Sequence, residues 1–307
     1  MVSPFRRLLL NDEGNSALHF VDLADEREAW TQRGPGRDLQ LIGRHHVLRS
    51  TPTGFIELDL RARGDVVREV VIPDLPGPTE SARRLPGGNT VVLGNSGAGV
   101  FVWEVNDAGR PVAGRARLCD RIEKGRLLRR TRDTRFLFCS ETAGRAVVHE
   151  LDWAAGVRDL FAASAASPAD SMVKAVRIGA DVVMVSTGYA ASLLRVDVAR
   201  GRVLQTIGGK RQPRPHQAAR ELSPFFFSGY QLFADGSVLI ANWQGHSREL
   251  NGQGYQALRY DADGALMWLF DQARFPAMSS LNNVLALDDL DTARLHDEPD
   301  GVLVPVD

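Results

Sequence analysis

Three residues of this chain are of a type and in a setting to move protons: Glu80, Lys174 and His246. Glu80 follows "LPGPT" just as a strand begins, where loss of water would raise a carboxyl pKa and suit it to acid–base work. Lys174 interrupts the apolar run "SMVKAVRI", so its ammonium either pairs with a carboxylate or serves inside a channel. His246 in "NWQGHS" and His216 in "RPHQA" lie in polar loops, where a neutral imidazole is the most suitable base near pH 7. A solvated, idle loop histidine is the competing reading for both.

Other chemistries find less support. A hard cation needs several oxygen donors; Glu80, Asn95, Asn242 and Asn282 could supply them from separate segments, but no contiguous motif does. No cofactor is therefore expected, with Ca²⁺ or another divalent ion as the alternative. The adjacent His45 and His46 should point to opposite sides of a strand and cannot chelate together. No Gly-x-Ser-x-Gly elbow is visible, the serines at second-strand ends lack a local base signal, and no glycine loop cradles a phosphate. Cys139, mid-strand in "TRFLFCSE", reads as a small buried hydrophobe; with Cys119 it makes two cysteines in 307 residues, which is no disulfide framework. The basic run Arg126–Arg135 reads as a solvated edge.

The elements that must position these residues form a repeat. An apolar-alternating strand ends at a turn acid or amide six times, at Asp22, Asp59, Asn106, Asp152, Asp197 and Asp261. Asp and Asn bond the nearby backbone there and tolerate unusual φ. A β-branched strand precedes each, as in "RLLLND", "TVVLGNS" and "SVLIANW", and a further strand precedes that one through a tight turn. The exception is the last such strand, "NNVLALDD", which comes after everything else. With a spacing of about 45 residues, the pattern predicts an all-β, six-bladed β-propeller with four-stranded blades. A split blade of N-terminal strands plus one C-terminal strand closes the ring, removing the exposed seam. Residues 1–289 form this single domain. Residues 290–307 form a tail whose "GVLVPV" could pair with an outer strand or a second subunit.

Loop lengths choose the working face. First-to-second and third-to-fourth strand turns are uniformly tight. The excess falls in "GGKRQPRPHQAARELSPFFF" and "NWQGHSRELNGQG", both on the other face, and long loops in a compact domain are usually functional. The ring of residues expected at that mouth comprises the inner-strand starts Asp38, Glu80, Lys124, Lys174, Ser228, Ser280 and Asn282, with the second-strand ends Asn11, Ser50, Asn95, Ser140, Ser186, Asn242 and Trp243. His216, Phe227 and Tyr230 add to the ligand-binding set. A concave, partly aromatic pocket with convergent polar groups is the default small-molecule site.

Lys+Arg 37 against Asp+Glu 38 gives a net charge of -1, with no electrostatic call on nucleic acid or an anionic membrane. The start, "MVSPFRRLLLNDEGNS", is far short of a signal-peptide apolar core, and a cytoplasmic location is expected.

At "SGYQLFADGSVLIANWQGH", "YDADGALMWLF" and "SSLNNVLALDD" the sequence resembles bacterial six-bladed propellers labelled quinoprotein-like, or PQQ-like. The likeness is most specific at Asn242, Trp243, Gly245 and His246, and it implies the fold more than an activity. Cys119 and Cys139 are far apart in sequence, unlike an adjacent-cysteine quinone platform, so PQQ is not expected. A more distant likeness is to the SMP-30/gluconolactonase and strictosidine-synthase-like propellers. The reading that results is a small-molecule enzyme working at the channel mouth by cofactor-independent acid–base chemistry: a lyase, isomerase, cyclase or hydrolase step. A metal-dependent lactonase-like hydrolase, and a non-catalytic scaffold for a ligand or protein partner, are the alternatives.

Overall fold

The computed structural model describes residues 4–142, 144–164, 171–212, 218, 222–245, 254–270, 272, 275 and 278–306. Six four-stranded antiparallel sheets stand in a ring. Blade 1 is the split one: Leu281–Ala286 is its innermost strand, followed outward by Arg7–Asp12, Ala17–Asp22 and Trp30–Arg33. The inner strands of blades 2 to 6 are Leu39–Gly43, Thr79–Arg84, Arg129–Arg130, Ala175–Arg177 and Phe226–Leu232. Their outermost strands end at Val71, Cys119, Ala162, Gly208 and Leu269.

The two chain ends are zipped in register, with Leu8 opposite Ala286, Leu9 opposite Leu285 and Leu10 opposite Val284. The buried Asp12 carboxylate latches the seam by accepting the N–H groups of Ser279 (2.7 Å) and Ser280 (2.9 Å). Burial alone would raise its pKa; the bonds from His19 and those two amides outweigh burial and hold it below the ordinary carboxylate value.

The repeated turn acid has one job in every blade. Oδ1 of Asp22, Asp59, Asn106, Asp152, Asp197 and Asp261 accepts a backbone N–H two or three residues on. Strand alternation then sends side chains to both neighbours: Phe136 and Phe138 pack toward blade 3, Leu137 and Cys139 toward blade 5. Each of the six junctions between blades holds one buried apolar cluster. A fully buried Leu or Phe in such a cluster contributes about 1.5–3 kcal/mol by leaving water.

The tail does not pair with an outer strand. It closes the channel at the end opposite the predicted mouth. Leu295 bridges Ile42, Val302 lies beside Leu232, and His296–Asp297 pairs with Val304–Pro305. The amides of Arg44 and His45 donate to Ala293 and Thr292. His45 is accordingly a turn residue with positive φ, its ring bonded to Thr292 Oγ1, and only His46 is in the strand.

The tail inserts Asp297 and Glu298 into a buried set of charges on the axis. Glu298 bonds Lys174 Nζ at 2.7 Å and also Arg129. Asp297 meets Arg83 at 2.9 Å, and Asp38 takes Arg129 through its two terminal guanidinium nitrogens, at 2.9 and 3.0 Å. Three cations thus face three carboxylates, all buried. Burial, aided by Arg129 and Arg83, outweighs the attraction of Glu298 and pushes Lys174 down to about 8. Burial would raise Glu298, but Lys174, Arg129 and Arg83 together hold it low. The reading of Arg126–Arg135 as a solvated edge fails at Arg129, which points inward because Asp38 and Glu298 await it there. Among the described residues, no helix is long and apolar enough to cross a membrane.

Candidate functional site

Above this plug, on the face where the inner strands begin, lies a cavity of about 490 Å³. Blades 5 and 6 give it an aromatic wall of Tyr189, Phe226 and Trp243. Tyr189 stands edge-on to Phe226 at 4.7 Å, and Phe226 to Trp243 at 5.2 Å, the arrangement ring quadrupoles favour. Gly188 makes this possible: at φ +56 its backbone bonds Phe227 in both directions, and a Cβ there would come within 2.9 Å of Phe226.

The rest of the wall is ionic. Arg37 is held between Glu13 (2.6 Å) and Glu80 (3.1 Å). Lys124 and Arg126 approach Glu141 at 2.7 and 3.7 Å. Ser171, Ser228 and Asn282 add polar groups. The buried hydroxyl of Ser171 has no hydrogen-bond partner among the described residues, and Asn282 accepts from Asn11 through Oδ1 at 2.6 Å. Other hollows, of about 570 and 930 Å³, carry no aromatic wall.

Of the residues singled out from sequence, Glu80, Lys124, Ser228, Trp243 and Asn282 come together here. Lys174 and Asp38 do not: both sit deeper, spent on the axial charge cluster. Tyr230 is buried beside Lys174, donating its hydroxyl to Met184 O at 2.7 Å, and burial pushes its pKa well up. Phe227 is core between blades 5 and 6. Asn95 donates to Gly125 O at 3.1 Å, supporting the segment that carries Arg126. Asn242 ties three backbone groups together, those of Phe225, Ser223 and Tyr255. The oxygen donors Glu80, Asn95, Asn242 and Asn282 therefore do not converge. Among the described residues, no three His, Cys, Asp or Glu side chains cluster so as to hold a metal. His216 and His246 lie outside the described residues.

Sequence reasoning missed Glu13, Arg37, Glu141 and Tyr189. Arg37 and Glu141 stand one position from Asp38 and Ser140, and alternation of the chain decides which of two neighbours faces the mouth; Glu13 lies in the turn two positions beyond Asn11. Tyr189 had a signal: "STGYAAS" is a second-to-third strand turn carrying an aromatic ring.

A Ser–His–Asp relay, not visible in the sequence, crosses blade 4. Ser140 Oγ lies 2.6 Å from His149 Nε2, and His149 Nδ1 lies 2.8 Å from Asp159 Oδ1. A carboxylate only accepts, so Nδ1 carries the proton and the neutral ring accepts from Ser140. Burial lowers the His149 pKa more than Asp159 raises it. The geometry is that of a nucleophilic triad, yet Ser140 is wholly buried and does not line the mouth cavity. Blade 1 repeats the device with different groups: His19 bonds Thr31 at 2.9 Å and Asp12 at 3.3 Å. In each case a third-strand histidine joins the second strand to the fourth, so the relay stitches a blade.

No protein-family model matches this chain, and no curated protein matches it in sequence. Solved structures do match in shape. A Bacteroides caccae protein of unknown function aligns with a TM-score of 0.67 at 17% identity, covering 91% of this chain and 98% of its own. Virginiamycin B lyase from Staphylococcus aureus aligns at 0.52 with 11% identity, covering 87% and 81%. Regucalcin from Agrobacterium tumefaciens, described as a calcium-binding protein, aligns at 0.53 with 14% identity, covering 89% and 86%. What these likenesses establish is the fold: the chain is similar to six-bladed β-propeller proteins.

Proposed function

We propose that the chain is an enzyme that takes a small, partly aromatic organic molecule into the mouth cavity and performs acid–base chemistry on it, of the lyase, isomerase, cyclase or hydrolase kind. Glu80 carries the proton. The placement of Glu80 supports this reading best. Its side chain is only 14% exposed, lines the cavity from blade 3 across the ring from the aromatic wall of blade 6, and meets Arg37 through Oε2 at 3.1 Å. That contact fixes the direction of the carboxylate. Negative charge developing on the substrate would face Lys124 and Arg126, the cations that line the same cavity. Ser228 and Asn282 supply donors for orientation.

The lyase among the similar folds lends support to an enzymatic propeller. Asn242 and Trp243, which carry the resemblance to quinoprotein-like propellers, support this cavity from blade 6. The setting we favour is a cytoplasmic step of specialised metabolism, with a small molecule as partner instead of nucleic acid or membrane.

The test is a compound library incubated with the wild-type protein and with Glu80→Gln, read by mass spectrometry. We expect at least one aromatic compound to be consumed by the wild type and spared by the variant. A library left untouched by both, or consumed equally by both, removes the reading.

A further inference from the structure

The described charges that line the mouth divide into two groups of opposite sign. Glu13 and Glu80 share one guanidinium, that of Arg37, so this sector on blades 1 to 3 keeps one unbalanced negative charge. Lys124 and Arg126 share one carboxylate, Glu141, so the sector on blade 4 keeps one unbalanced positive charge. The aromatic wall on blades 5 and 6 forms the third side of the same cavity.

We infer that the mouth recognises a small aromatic zwitterion, its cationic group toward Glu13 and Glu80, its anionic group toward Lys124 and Arg126, and its ring on Tyr189 and Phe226. This names the substrate class within the reading above and rests on the mouth being the working site. A ligand with a single charge satisfies one sector and leaves the other uncompensated; a neutral ligand satisfies neither. The two ends differ in strength. Side-chain exposure is 16% and 14% at Glu13 and Glu80 but 64% at Lys124 and 24% at Arg126, so water screens the anion-binding end more. The cationic group therefore contributes most. A cavity of about 490 Å³ admits a molecule of amino-acid size or somewhat larger.

Calorimetric titration or ligand-observed NMR with five probes tests this: L-phenylalanine, phenethylamine, 3-phenylpropionate, 2-phenylethanol and glycine. The expected order is phenylalanine, then phenethylamine, then 3-phenylpropionate, with 2-phenylethanol and glycine weakest. Glu13→Gln should weaken phenylalanine and phenethylamine about tenfold while sparing 3-phenylpropionate, since a charge-assisted contact is lost. Lys124→Met should weaken phenylalanine and 3-phenylpropionate about threefold, the size expected of a screened contact. Melting curves of both variants check the fold.

The inference falls if 2-phenylethanol matches phenylalanine, if Glu13→Gln weakens all ring-bearing probes alike, or if no probe binds at about 10 mM. It separates from the catalytic reading. Phenylalanine binding without any Glu80-dependent turnover would sink that reading and leave this one. Glu80-dependent turnover of an uncharged aromatic compound would do the reverse.

Discussion

Lys174 Nζ and Glu298 Oε2 meet 2.7 Å apart on the channel axis, 124 residues apart in the chain. Through this contact the C-terminal segment becomes the floor of the propeller, and the mouth on the other face becomes a blind pocket instead of one end of a tunnel. Glu298 also meets Arg129 and Arg83, so it faces three cations at once. Glu298→Gln should leave them uncompensated by one charge and cost about 3–5 kcal/mol, as breaking a buried ion pair does. Urea denaturation reads this directly. A loss below about 1 kcal/mol would show that the tail is not integral to the ring.

The His149 relay gives a pH signature. Burial holds the ring's pKa below its ordinary 6.5, so the unfolded chain binds the proton first as the pH falls. The stability that His149 contributes is therefore complete above about pH 6.5 and declines as the pH drops below it. His149→Gln should flatten the dependence of the melting temperature between about pH 5 and 7. An unchanged slope would assign that dependence to other groups.

Ser140 should behave as a stitch. Ser140→Ala removes the donor to His149 Nε2 and is expected to cost about 1–2 kcal/mol in a denaturant melt while leaving turnover intact. A fluorophosphonate probe should not label the wild type. Labelling at Ser140, or loss of turnover at full stability, would make the relay a second active site.

The aromatic wall can be tested at its exposed member. Tyr189 is 40% exposed, and its edge-on packing on Phe226 suggests a ligand ring could stack there. Tyr189→Ala should weaken an aromatic ligand about three- to tenfold, the size of one ring–ring contact, with little change in melting temperature. Equal affinity in variant and wild type would remove the wall from the site.

What the sequence made legible was local. The turn acids Asp22 to Asp261 act within three residues of themselves, and the strands before them alternate visibly, so blade count and closure could be read from pattern alone. The mouth was legible to within a residue or two: Glu80, Lys124, Ser228, Trp243 and Asn282 line it, while Asp38 and Ser140 turned inward and their neighbours Arg37 and Glu141 took the cavity. The axial charges were not legible. Arg129 and Lys174 look like surface and channel residues until Glu298 arrives from the far end of the chain. The His149 relay was hidden because its partners lie on three strands.

The most direct test of Glu80 as the proton carrier is steady-state kinetics of Glu80→Gln on a compound that the wild type consumes. We expect kcat to fall by about 10²–10⁴ with KM changed by less than about threefold, because the amide keeps the shape of the site and loses only its proton chemistry. An unchanged kcat, or a loss confined to KM, would contradict the account.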